Sequence, residues 1–269
     1  MNGFTLQSVQ GVSFFTCTPI IAELPVLHAF STRAGGVSDG RYTSLNLGFG
    51  SGDARVCVQA NRLRFGQTVG FDVDCLVTLR QVHGKRGILI AGGDDPMGVR
   101  GTPADALITN QPQVPLGVIT ADCFPVLLVA PSVPAVAIIH AGRRGTLAQI
   151  IRVVSTLMCD RFHVPARSLH AAIGPGIGGC CYEIDAVSAQ PFHALYTHRD
   201  GIFRPSRPQH VYLDLQRANL LQLQAAGIPP QQIWVANLCT VCHPQWFYSY
   251  RREGTRTGRM LNVVMLQPG

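Results

Sequence analysis

Apolar runs of four to seven residues, closed off by Gly, Pro, Asn or Asp, recur along this chain at positions 26–30, 76–82, 104–108, 116–120 and 126–130. The pattern returns at 135–139, 169–173, 233–236 and 260–266. Runs of this length between turn formers predict buried β-strands, and a further strand is expected over 246–250. Between 146 and 159 the period changes, and Leu147, Ile150, Ile151, Val154, Leu157 and Met158 fall on one face of a helix. Asp53 can cap a second helix through about position 69, and Asp214 a third that Gly227 and Pro229 stop. Strands outnumber helices without strict alternation, which predicts a mixed α/β (α+β) fold and argues against a doubly wound sheet or an eightfold barrel. No repeat or linker divides the 269 residues, so a single domain over 1–269 is expected.

The formal charge of +7 would suit nucleic acid, yet the arginines are dispersed, Lys85 is the only lysine, and no basic stripe carries interleaved aromatics. A small anion such as phosphate accounts for the arginines at least as well as a nucleic acid does, and a basic solvated surface is the other reading. No uninterrupted apolar run is long enough to span a bilayer, and the first thirty residues lack the pattern of a secretory leader. The expectation is a cytoplasmic protein with no membrane partner. Nine cysteines, an odd number without a regular framework, read mostly as reduced thiols. None of these patterns specifies an oligomeric state.

Candidate chemistry is concentrated in three segments: LRQVHG, TADC and IIHAGRRG, which place His83, Cys123 and His140 at or near the ends of predicted strands. Two imidazoles and one thiolate held on strand ends can bind zinc and leave its fourth position to water. Forty positions separate His83 from Cys123 and seventeen separate Cys123 from His140, so only the tertiary fold could assemble such a site. Copper fits less well, because multicopper centres need closely paired histidines and the nine here are scattered singly. After the strand at 135–139 the chain passes Gly142, Arg143, Arg144 and Gly145 into a helix, where backbone donors and two arginines offer an anion cradle. The rival enzyme is a metal-independent cysteine hydrolase with Cys123 as nucleophile and His140 as base. A nonenzymatic binding module is the remaining class, and it would tolerate Cys123→Ser.

Taken in order, FSTRAGGVS with SLNLG, LRQVHG, TADCFPVLL, HAGRRG and YSYRREGTRTGR resemble the successive signatures of the bacterial laccase-domain family. That family was once described as multicopper polyphenol oxidases, and its members are now regarded as zinc-dependent purine nucleoside phosphorylases. The resemblance implies an α/β/β/α layered fold and metal ligation by His83, Cys123 and His140. It also implies phosphorolysis of adenosine, inosine and S-methyl-5'-thioadenosine, with adenosine deamination as a second activity. A link of some members to editing of peptidoglycan precursors comes with the same resemblance. One departure is Arg143, which stands where the family usually carries tryptophan. Another is the loop GPGIGGCCYEID, richer in glycine and cysteine than the family leads one to expect, so Cys180 and Cys181 inherit no role.

Phosphorolysis requires phosphate to be held against the anomeric carbon, and Arg33, Arg144, Arg251 and Arg259 are the candidate clamps. Asn46 and Gln81 are candidates for hydrogen bonds to ribose or base. Asp122, next to Cys123, is the candidate proton carrier in deamination, or else the carboxylate that orients a histidine. Two decoys complete the inventory. CTVCH at 239–243 matches a haem-attachment pattern but reads better as two packed thiols, and Gly174, Gly176 and Gly179 match GxGxxG without the βαβ context that dinucleotide binding needs.

Overall fold

A computed structural model of the protein describes residues 3–23 and 25–268. Its strands, in chain order, are β1 (Phe4–Val9), β2 (Val12–Cys17), β3 (Val26–Ser31), β4 (Val77–Thr78), β5 (Gly87–Ile90), β6 (Ala106–Thr109) and β7 (Leu116–Thr120). There follow β8 (Phe124–Ala130), β9 (Ala135–Ala141), β10 (His170–Ile173), β11 (Glu183–Asp185), β12 (Phe203–Pro205), β13 (His210–Leu213), β14 (Ile233–Val235) and β15 (Met260–Leu266). Two six-stranded sheets carry the core, in the orders β1-β2-β3-β15-β7-β4 and β14-β10-β8-β9-β6-β5, with β11-β13-β12 as a small third sheet. Both large sheets mix parallel and antiparallel pairs: β4 and β7 run parallel while β7 and β15 are antiparallel.

Alternation along the strands explains why the sheets stack. In β8, Leu127 and Val129 face the other sheet, while Phe124, Val126, Leu128 and Ala130 face helices. In β15, Met260, Val264 and Leu266 point between the sheets, and Leu261, Val263 and Met265 point outward to the helix Arg55–Val69, where Phe65 packs. Strands apolar on both faces need cover on both sides, and the result is the α/β/β/α layering expected above. On the far side Ile150, Ile151, Val154 and Met158 of the helix Ile150–Phe162 lie on the β8-β9 sheet, beside the helix Leu215–Ala225.

Several sequence expectations need correction. The apolar run at 76–82 yields only the two-residue β4, after which Arg80 makes an isolated bridge to Pro103 and the chain bends at His83. The expected helix over 146–159 is two helices, Arg143–Leu147 and Ile150–Phe162, broken where Gln149 adopts φ +59°. Residues 246–250 form no strand. Instead Ser249 caps a short helix, Tyr250–Glu253, by accepting from the Arg252 N–H. Asp214 does cap its helix, accepting from Arg217 N, but Asp53 does not. Ala54 occupies that N-cap position, and the Asp53 carboxylate instead accepts from Ser38, Asn46 and the Ala54 amide. The hairpin β1-β2 lies outside the expected strands, and Gln10 and Gly11, both at positive φ, supply the tight turn that joins it.

Candidate metal centre

Each of the three candidate ligands is placed by a different element. His140 is the penultimate residue of β9, and the strand's alternation aims its ring between the sheets, where it is buried. Cys123 sits immediately before β8, which pairs with β9 so that Phe124 faces Ala141 and Pro125 faces His140. His83 lies in the loop after β4, at φ +59°, and is exposed. A ligand nitrogen from each histidine and the Cys123 sulfur lie within 4.8 Å of one another, and the two rings stand nearly perpendicular with centroids 4.8 Å apart. Gly142 makes this approach possible: a Cβ there would lie 2.7 Å from Cys123 Sγ and 3.1 Å from His83 Cδ2.

The organising group is a residue that the sequence reading passed over. Asp105, fully buried one residue ahead of β6, accepts from His140 Nδ1 at 2.9 Å. It also accepts from three consecutive amides, Val82, His83 and Gly84, at 3.2, 2.9 and 2.7 Å. One carboxylate therefore holds His83 in its left-handed conformation and fixes the proton of His140 on Nδ1, turning Nε2 toward Cys123. A carboxylate buried within the apolar run 104–108 was the available sequence signal, since a charge is kept there only when several donors meet it. The side chain that orients a histidine is thus Asp105, not Asp122.

Charge within the cluster is strongly coupled. Burial disfavours the Cys123 thiolate, but the imidazoles of His140 and His83 outweigh it and bring the thiol below its ordinary range. Burial likewise works against charge on His140, yet Cys123 and Asp105 raise its basicity overall. Two imidazoles and a sulfur with thiolate character, converging at one point and open on the His83 side, are a donor set suited to zinc with a vacant exchangeable position. The residues fit such an ion.

The cluster forms the floor of a cavity of about 680 Å³ whose walls include Leu79, Gln81, Ile119, Ile177, Tyr182 and Leu215. Arg143, Arg144, Arg251 and Arg259 also line it, and Asp122 is its one carboxylate among the described residues. Neither the Arg143 nor the Arg144 side chain hydrogen-bonds to another described residue. Arg251 lies 4.9 Å over the Tyr182 ring and donates to the Glu183 carbonyl, while Arg259 donates to the carbonyls of Thr257 and Gly258. Asp122, at φ +89°, accepts from Thr240 Oγ1 and from the Arg251 amide, both at 2.6 Å. The departure from the family pattern, Arg143, therefore faces the cavity.

Three sequence candidates stand differently from expectation. Arg33 does not line the cavity; it pairs with Glu253 at 3.2 Å, lies over the Tyr248 ring and donates to the carbonyls of Thr43 and Pro244. Asn46 is fully buried, gives its amide protons to Ser51 and Asp53, and accepts from the amides of Gly48 and Arg259. Gln81 reaches the cavity wall, but both ends of its amide are engaged by the Ile119 backbone, at 2.8 and 2.7 Å. The GxGxxG loop is a packing device: a Cβ on Gly174 or Gly176 would strike Phe30 or Phe124 at 2.4 and 2.5 Å.

Layering and pocket together define a two-sheet α/β protein that gathers two imidazoles and a thiolate at the base of an arginine-lined cleft. The chain belongs to the multi-copper polyphenol oxidoreductase laccase family, whose model matches residues 27–267. It is similar to the purine nucleoside phosphorylase YlmD of Geobacillus stearothermophilus, with 37% identity over 240 residues, 87% of this chain and 88% of that one. The crystal structure of that YlmD superposes with a TM-score of 0.91 at 34% identity, covering all of both chains. A purine nucleoside phosphorylase of Deinococcus radiodurans is 40% identical over 244 residues, 91% of this chain and 90% of that one. Adenosine deaminase RL5, from an unknown prokaryotic organism, is 35% identical over 246 residues, 88% of this chain and 93% of that one. Among the described residues no helix is long and apolar enough to cross a membrane.

Proposed function

We propose that the protein is a zinc-dependent purine nucleoside phosphorylase acting on adenosine, inosine and S-methyl-5'-thioadenosine, with adenosine deamination as a second activity, in the cytoplasm. The observation that carries this reading is the His83, Cys123 and His140 cluster at the floor of a cleft lined by four arginines. Relatives named purine nucleoside phosphorylase and adenosine deaminase support an enzyme of purine nucleoside metabolism.

His83, Cys123 and His140 would hold the zinc, which supplies Lewis acidity beside the bound nucleoside. Leu79, Ile119, Ile177 and Leu215 offer the purine an apolar berth, with Tyr182 as a flat face. Arg143 and Arg144, whose guanidinium groups carry no other hydrogen bond among the described residues, bind phosphate as planar donors, with Arg251 and Arg259 closing the site. A phosphate oxygen then forms a bond to the anomeric carbon as the glycosidic bond breaks, and the base leaves with that electron pair and takes up a proton. Asp122, the one carboxylate at the wall among the described residues, is the group placed to carry protons in both reactions, and its bond to the Arg251 amide couples it to the arginine wall. Arg33 and Asn46 act by positioning: Asn46 fixes the Arg259 backbone, and Arg33 braces Glu253 at the end of the segment that carries Arg251.

The Asp105, His140 and Cys123 chain of contacts also has the order of a cysteine-hydrolase triad. His83 separates the two readings, because a second imidazole against the sulfur is needed by a metal and has no task in a triad. The test is metal analysis of the purified protein combined with product detection from adenosine, with and without phosphate. Zinc near one equivalent at this cluster, with phosphate-dependent adenine release, is expected. A zinc-free protein that turns over no nucleoside refutes the proposal.

A further inference from the structure

A second convergence of ligands lies outside the catalytic floor. Cys180 and Cys181 follow the loop after β10, and Cys239 and Cys242 lie 58 or more positions further on; the four sulfurs lie within 4.8 Å of one another. We propose that these four thiolates bind a structural zinc ion, independent of the nucleoside reading above.

The geometry favours a shared ion over disulfides. Cys242 Sγ is 3.6 Å from Cys180 Sγ and 3.4 Å from Cys181 Sγ, so one sulfur has two equivalent neighbours rather than a single partner. Four sulfurs on a tetrahedron with zinc–sulfur bonds of about 2.3 Å have edges of about 3.8 Å, close to these separations. The surroundings also suit a cluster of negative sulfurs. The Gly178 amide donates to Cys239 Sγ at 3.3 Å. A hydrogen bond of this kind orients a ligating thiolate. The Arg252 guanidinium sits on the carbonyls of Thr240 and Val241, bringing positive charge beside the turn. Gly178 leaves the necessary room, since a Cβ there would meet Cys180 Sγ at 3.1 Å and the Cys239 Cβ at 3.2 Å. A tetrahedral sulfur set with no histidine or carboxylate selects a thiophilic ion and leaves no open position for chemistry.

Its role follows from what the two loops carry. Gly176 bridges to Cys239, the Thr240 amide donates to Gly176, and the Ile177 amide donates to Asp122. Ile177, Tyr182 and, through Thr240, Asp122 all belong to one wall of the cleft. The ion fastens the outer ends of these loops where Cys180 and Cys242 are exposed, and so stiffens that wall from behind.

The test counts zinc in the full chain purified under reducing conditions. About two equivalents are expected in the parent protein, about one in Cys180→Ser/Cys242→Ser, and about one in His83→Ala/Cys123→Ser. The last of these carries only the four-cysteine site, so cobalt loading of that variant should produce strong sulfur-to-cobalt charge-transfer absorption. This readout stands even if the double cysteine variant fails to fold, and it is unaffected by failure of the nucleoside assignment. Zinc content equal to the parent's in folded Cys180→Ser/Cys242→Ser overturns the proposal. So does a disulfide among the four cysteines in the native protein, or absence of the cobalt band.

Discussion

Replacing Asp105 with Asn tests the idea that one buried carboxylate builds the metal centre. Its two oxygens divide four donors evenly: Oδ1 accepts from His83 N and His140 Nδ1, and Oδ2 accepts from Val82 N and Gly84 N. An amide nitrogen in place of either oxygen cannot accept, so two N–H groups at the buried carboxylate lose their partner and face a donor. At about 1–3 kcal/mol for each stranded group, the variant should lose roughly 2–6 kcal/mol of unfolding free energy. If the nitrogen takes the Oδ1 position, His140 must move its proton to Nε2, the atom turned toward Cys123, and zinc affinity should fall by roughly 10- to 100-fold. Chemical denaturation with and without zinc, and zinc competition against a chelator, measure the two effects separately. Asp160→Asn, on an exposed helix face, is the control and should shift stability by less than about 0.5 kcal/mol. If Asp105→Asn behaves like that control in both assays, the carboxylate does not organise the site and the argument fails.

Gly142→Ala introduces no backbone strain, since φ −88° and ψ 177° suit any residue, but its methyl would press on Cys123 and His83. Zinc affinity should drop at least about tenfold while the melting temperature barely moves, and unchanged affinity would show that the ligands do not converge here. Arg144→Ala removes a charged donor from the cleft; the phosphate KM should rise roughly 10- to 100-fold, and an unaltered phosphate dependence removes Arg144 from the clamp. His28 concerns stability and pH. Burial holds its pKa down to about 4, and its Nε2 accepts the Cys17 amide at 2.8 Å. Because the folded pKa lies below the unfolded value, the unfolded chain takes up the proton first as pH falls through about 6.5, and stability drops until about pH 4. The loss should reach roughly 3 kcal/mol over that window, and a His28→Gln protein should lack this component; parallel pH profiles for the two would refute it.

Sequence periodicity alone located β7 and β15 to the residue, and the strands near 126–130 and 135–139 to within two, because a strand buried on both faces must be apolar throughout. It also marked His83, Cys123 and His140, since glycine and a strand end beside a ligand-forming side chain are local features. What local pattern cannot hold is the distance between those segments. Gln149 breaks a helix whose apolar stripe runs on without interruption, and Asp105 looks like a flaw in a strand until three amides and an imidazole close around it. Arg33 and Arg144 are indistinguishable by residue type, yet one braces a loop and the other lines the cleft. The sequence determined which segments are strands and which side chains could bind a metal, because those follow from alternation and residue chemistry. Only the stacking of the two sheets decided which side chains meet, because contacts between distant segments depend on register and crossover rather than on neighbours in the chain.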